Sequence, residues 1–143
     1  MVDLTQGINE WVRYTPKYTQ RLKDGSIFDN MALPVGERIS AEIRILNHDT
    51  RASYLATMKA VQNLTQLNTG TLEAKRNILE DNIRNVKNLK AGKRKIKNGK
   101  DILETQTDVF VQMFEDRIMG DLPLMPDEFD EEGELVKEGD EKN

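Results

Sequence analysis

Catalytic chemistry needs a nucleophile, a base or a metal-ligand set, and this chain supplies few of the parts. Of its 143 residues one is a histidine, His48, none is a cysteine, and serine stands only at Ser26, Ser40 and Ser53. Thiolate chemistry, disulfides and thiolate metal sites are thereby excluded, and a site built from imidazole and carboxylate would have one imidazole at most. No nucleophile-elbow pattern surrounds a serine, and His48 reads as a polar residue beside a helix start. No catalytic, cofactor-binding or metal-ligating residue is expected.

Two motif-like stretches fail on inspection. Ala91-Gly92-Lys93-Arg94 has the look of a phosphate loop, but Lys87 stands six residues before Lys93 where glycine is needed, and Arg94 replaces the magnesium-binding hydroxyl. In the tail, Gly133 at a calcium-loop turn position would put Glu128, Asp130 and Glu132 on ligand positions. The closing bidentate position then falls on Gly139, and no helix pattern follows. Asn63-Leu64-Thr65 matches a glycosylation acceptor by chance, there being no secretory pattern at Met1 to Trp11.

The chemistry that is present is charge. Between Arg84 and Lys100 lie eight basic residues (Arg84, Lys87, Lys90, Lys93, Arg94, Lys95, Lys97 and Lys100) and no acidic one. From Glu115 to Asn143 there are twelve acidic and three basic residues, so a net charge of −4 divides into +5 over the first 114 residues and −9 over the rest. Such a dipolar polymer suits binding, or pairing of unlike ends, better than it suits catalysis. If the segment is helical, Lys87, Lys90, Arg94 and Lys97 share a face and could track a phosphate backbone. It has no aromatic residue for stacking and no arranged amides for edge readout, so nucleic-acid binding would be nonspecific. Two other readings compete: a solvated loop, and an electrostatic clasp to the acidic tail.

The elements that would position these charges read as mainly helical. Residues 1–36 carry Trp11, Tyr14 and Tyr18 among the breakers Pro16, Gly25, Pro34 and Gly36, which predicts an irregular N-terminal region with a turn at Asp24-Gly25. Residues 37–119 read as a helical core. Within it, Ile39, Ala41, Ile43 and Ile45 alternate with polar residues like a strand, while Ile39, Ile43 and Leu46 keep helical spacing. The helix formers Glu37, Arg38, Ala41 and Glu42, and the lack of an evident partner strand, tip the reading to helix. A break or cap at His48-Asp49-Thr50 is followed by Tyr54, Met58, Val61 and Leu64 at helical spacing, and Gly70 marks a stop.

Leu72, Leu79 and Val86 then repeat at sevens as a short heptad, interrupted by Arg76 and Lys90, which favours a helical hairpin or small bundle over a long coiled coil. Ala91-Gly92 predicts a helix end. Asp101 with Glu104 predicts a capping box ahead of an apolar stripe of Leu103, Val109, Phe110, Met113, Phe114 and Ile118. Residues 120–143 read as an acidic, flexible tail, or a small hairpin around Gly133.

The expected architecture is thus a helical hairpin or small bundle, with a basic inter-helix segment at 84–100. With 37% hydrophobic and 32% charged residues, the chain is lean for a compact globule and predicts a homo-oligomer. Self-association or partner docking is expected through Leu72, Leu79, Val86, Leu103, Val109, Phe110, Met113 and Phe114. No membrane span is expected, and the default location is the cytoplasm or a virion. The lysine, asparagine and isoleucine usage, small size and acidic end resemble those of bacteriophage assembly or virion components. The expected function is a non-enzymatic structural or assembly protein that docks in a larger complex. The alternative is a nonspecific nucleic-acid-binding protein using 84–100, modulated by the acidic tail.

Overall fold

The structure is a computed structural model that describes residues 1–5, 7–62, 67–120 and 126–128, without the side chains of 57–62, 67–74 and 126. In chain order the elements are β1 (Trp11–Tyr14), β2 (Thr19–Arg21), β3 (Ile27–Asp29), β4 (Ser40–Arg44), α1 (His48–Gln62), α2 (Leu67–Asn82), β5 (Ile83–Lys87), β6 (Lys90–Ala91), β7 (Arg94–Lys95), α3 (Gly99–Thr105) and α4 (Asp108–Ile118). Short 3-10 turns lie at Asn30–Ala32, Val35–Glu37 and Pro126–Glu128. The fold is mixed α and β with three antiparallel sheets, which overturns the mainly helical reading and with it the helical bundle and coiled coil.

The main sheet has the order β1-β4-β5. Period two decides residues 38–46: β4 is a strand whose Ala41 and Ile43 are buried while Glu42 and Arg44 are half-buried on the other face. Neither partner strand shows a clean period of its own: β1 has four residues, and β5 is bulged opposite Ser40 and Glu42. Trp11 pairs with Arg44 and Arg13 with Glu42 on one side; Glu42 pairs with Arg84 and Ile43 with Ile83 on the other. The heptad Leu72, Leu79, Val86 therefore crosses an element boundary, since α2 ends at Asn82 and Val86 belongs to β5.

The basic segment is likewise not a helix. Asn85 and Asn88 adopt positive φ (52° and 64°), which bulges and then turns the strand, an αL geometry that asparagine tolerates better than most residues. Gly92-Lys93 is the two-residue turn of the β6–β7 hairpin between the paired Ala91 and Arg94, with Gly92 at φ 63°, rather than a helix end. The stripe predicted as one helix is two. Asn98 caps α3 by accepting from the Asp101 N–H, and Thr107 caps α4 by accepting from the Phe110 N–H. Asp101 is thus a first-turn residue, not the N-cap, and Gly70 lies inside α2 rather than ending it.

The core lies between the inner face of the sheet and α2, α3 and α4. Tyr14, Ile43, Ile78, Leu79, Ile83, Ile96, Ile102, Phe110, Phe114 and Ile118 are fully buried there. Tyr14 meets Phe114 edge-on with ring centroids 5.3 Å apart, and Tyr18 meets Phe110 in the same way at 4.9 Å. The start of α3 presses directly on α2. A Cβ at Gly99 would stand 2.3 Å from the Leu79 carbonyl oxygen, closer than any carbon can approach. A buried amide joins the N-terminal region to β4: Asn30 Nδ2 donates to the Pro16 and Ile39 carbonyls, and its Oδ1 accepts from the Ile39 N–H.

Two substitutions test this packing. Gly99→Ala should lower the urea midpoint by forcing α3 off α2. Asn30→Leu, which leaves three buried backbone groups without partners, should cost about 3 kcal/mol or more in equilibrium unfolding.

Candidate interaction surfaces

The residues predicted as an apolar interface are mostly covered by the chain's own core. Leu79, Phe110 and Phe114 are buried, and Val86 and Leu103 are half-buried against the same cluster. Met113 is half-buried, Leu72 lies on α2 with its side chain outside the described residues, and Val109 alone of the set is well exposed, at 68%. The structure does not gather them on one open face.

The basic residues fare differently. Arg94 is committed within the chain: it donates to Asp101 at 2.5 Å and to Glu104 at 2.7 Å, tying the β6–β7 hairpin to α3. Arg84 donates to Glu42 at 2.7 Å. Lys87, Lys90, Lys93, Lys95, Lys97 and Lys100 are exposed, and among the described residues none forms an ion pair. Lys90 and Lys95 stand directly opposite each other across the hairpin, a like-charge pairing that opposes strand association.

Beside them lies a site that the sequence reading passed over. Alternation along β1 turns Val12 and Tyr14 inward, so Trp11 and Arg13 join Glu42, Arg44 and Arg84 on the outer face of the sheet. The Arg84 and Arg44 guanidinium carbons lie 4.0 and 4.5 Å from the Trp11 ring centroid, in cation–π range. Glu42 is the acidic member of this group: it accepts from Arg84 and Asn85 and lies 3.7 Å from Arg13. Burial alone would push its carboxyl up, but those hydrogen bonds and charges outweigh it and hold it below its ordinary value. The Lys97 N–H and then Arg94 do the same for Asp101, and Arg94 for Glu104. The alternation of Trp11 and Arg13 with Val12 and Tyr14 was the available signal for this face.

The N-terminal third contributes two further features. β2 and β3 form a separate hairpin around Gly25, with no described strand on either outer edge. It projects Leu22 (41% exposed) and Ile27 (65%). The segment Met1 to Thr5 is exposed throughout, Val2 and Leu4 included. At the other end, the root of the acidic tail docks on the body. Arg117 holds Glu128 through two hydrogen bonds of 2.9 and 2.6 Å with both side chains largely buried, the Thr15 N–H donates to the Glu128 carbonyl, and Lys17 pairs with Asp127 at 2.8 Å. Among the described residues the tail pairs with these groups and not with 84–100. Phe129 and the rest of the tail lie outside the described residues, as does the Asn63-Leu64-Thr65 acceptor.

No family model matches the chain, and neither a curated protein nor a solved structure is significantly similar to it. Among the described residues no group of His, Cys, Asp or Glu could hold a metal ion, and no helix is long and apolar enough to cross a membrane.

Glu42, Asp101 and Glu104 all have folded-state values below their unfolded ones. The stability they contribute is therefore complete above the ordinary carboxylate values of 3.8 and 4.5 and is lost as pH falls through the lower folded values. Urea midpoints should stay level from neutral pH to that range and then decline, with a shallower decline in Arg94→Ala. Glu128→Ala, which strands a largely buried guanidinium, should cost about 3 to 5 kcal/mol by the same measurement.

Proposed function

We propose that this chain is a non-enzymatic structural or assembly protein that self-associates and docks in a larger complex, and that its contacts are made by extended arms rather than by helix stripes. The observation that carries this reading is where the exposed apolar side chains sit. Of the eight large ones among the described residues, Met1, Val2, Leu4, Leu22, Ile27 and Val35 fall within the first 36 residues, leaving only Leu55 and Val109 elsewhere. An arm that offers apolar side chains and unpaired strand edges gains little as a free structure and much when a second surface covers it. The core, by contrast, already covers Leu79, Ile102, Phe110, Phe114 and Ile118 on the described helix faces.

The outer edges of the β2–β3 hairpin, which no described strand pairs, support strand addition by a second copy of the same hairpin, with Leu22 and Ile27 covered in the contact. The phage-like composition supports a place in the cytoplasm during assembly or in the finished virion. Charge then sets register and encounter, since complementary charges govern orientation and on-rate more than net affinity.

Light scattering after size exclusion tests the reading. The expected result is an oligomer that persists at high salt. The double variant Leu22→Glu, Ile27→Glu should weaken association about a hundredfold, because burying each side chain contributes about 1.5 to 3 kcal/mol. Its circular dichroism should be unchanged. A monomer at all concentrations and salt levels would overturn the proposal.

A further inference from the structure

We propose that the outer face of the β1-β4-β5 sheet and the adjoining β6–β7 hairpin form a binding surface for single-stranded nucleic acid, with Trp11 as the base-stacking platform and the exposed lysines as phosphate contacts. This surface is separate from the apolar arms. Its two parts are continuous, because β5 runs on into the hairpin and the two are stitched by the Val86 N–H donating to the Lys97 carbonyl and the Ile96 N–H donating to the Leu89 carbonyl. The lysines therefore extend from the edge of the strand that carries Arg84.

Charge complementarity identifies the class of partner. Among the described residues, Arg44, Arg84 and Lys87 share the outer face of the strands with one carboxylate, Glu42, and five further exposed lysines on the hairpin and the approach to α3, with no ion pair among the described residues, add to that excess. The like-charge pair Lys90 and Lys95 costs the hairpin stability, a cost that a polyanion lying across it would relieve. The aromatic residue identifies the form of the polyanion. A half-buried tryptophan on an antiparallel sheet, among arginines, is the combination by which unpaired bases stack while the backbone is neutralised. A base replacing a guanidinium over the Trp11 ring exchanges an exposed cation–π contact for the stronger stacking contact, and leaves the arginine facing the backbone. A duplex offers no free base face.

Sequence readout is not supplied. Asn85 commits its amide NH2 group to Glu42, and Asn88 commits its own to the Gly36 and Arg38 carbonyls. The surface would therefore bind without base preference.

Trp11 is the sole tryptophan, so its fluorescence reports directly on the platform. Titrating the full chain with oligothymidylate should quench that emission, more weakly as salt rises, while a duplex of equal length should bind less tightly and leave the emission unchanged. Trp11→Leu should weaken oligothymidylate binding about tenfold by anisotropy without altering the salt slope, and Trp11→Phe should recover most of the loss. Lys90→Glu with Lys95→Glu should remove binding by either form while leaving the tryptophan emission of the free protein unchanged. Equal affinity for duplex and single strand, equal affinity for polyglutamate, or binding with no change in emission would each overturn the proposal.

Discussion

Everything on the sheet follows from one buried side chain, the amide of Asn30. Two donors and one acceptor of that group are satisfied by the Pro16 and Ile39 carbonyls and the Ile39 N–H, and its own backbone N–H reaches the Tyr18 carbonyl. The chain leaving β1 and the chain entering β4 are thereby held at a fixed separation. That fixes the register of Trp11 against Arg44, and a slip of one residue would exchange the whole inner and outer sets of side chains. A satisfied polar group at full burial specifies a geometry that apolar contacts alone would leave loose.

With the register fixed, the two faces of the sheet divide the work. The inner face carries Tyr14, Ala41, Ile43 and Ile83 into the cluster completed by α2, α3 and α4, where Phe110 and Phe114 join the aromatic contacts. The outer face is left with Trp11, Arg13, Ser40, Glu42, Arg44, Arg84 and Lys87. Arg94 and Arg117 then act as ties on the periphery, the first fastening the β6–β7 hairpin to α3 and the second fastening the start of the tail beside Tyr14.

The fold was partly legible. Alternation at Ile39, Ala41, Ile43 and Ile45 was visible, but Glu37, Ala41 and Glu42 also favour helix, and β5 could not be recognised while Val86 completed a heptad with Leu72 and Leu79. Tertiary pairing overrode local propensity there. The repeated asparagines at 85 and 88 were the unread cue, since that residue type accepts the αL turns that convert a basic run into strand and hairpin. The concentration of basic residues in 84–100 was plain from composition; their division into committed arginines and exposed lysines was not, because it depends on Glu42, Asp101 and Glu104 arriving from other elements. The apolar stripe after Thr107 was recognised, but no pattern in a sequence says whether such a stripe is covered by the same chain or another.

The order of the strands also governs how the molecule comes together in time. β4 is the central strand, yet its second partner follows it only after α1 and α2, and Arg13 reaches Asn85 across 72 residues. A growing chain would have β1 and β4 available well before β5 emerged, with Ala41 and Ile43 still uncovered. Loop-closure entropy makes such a long-range pairing late and slow compared with local helix formation. The middle strand of the sheet thus depends on an edge that must wait for the helices, and the period of waiting is when the unfinished apolar face is most open to capture by another chain.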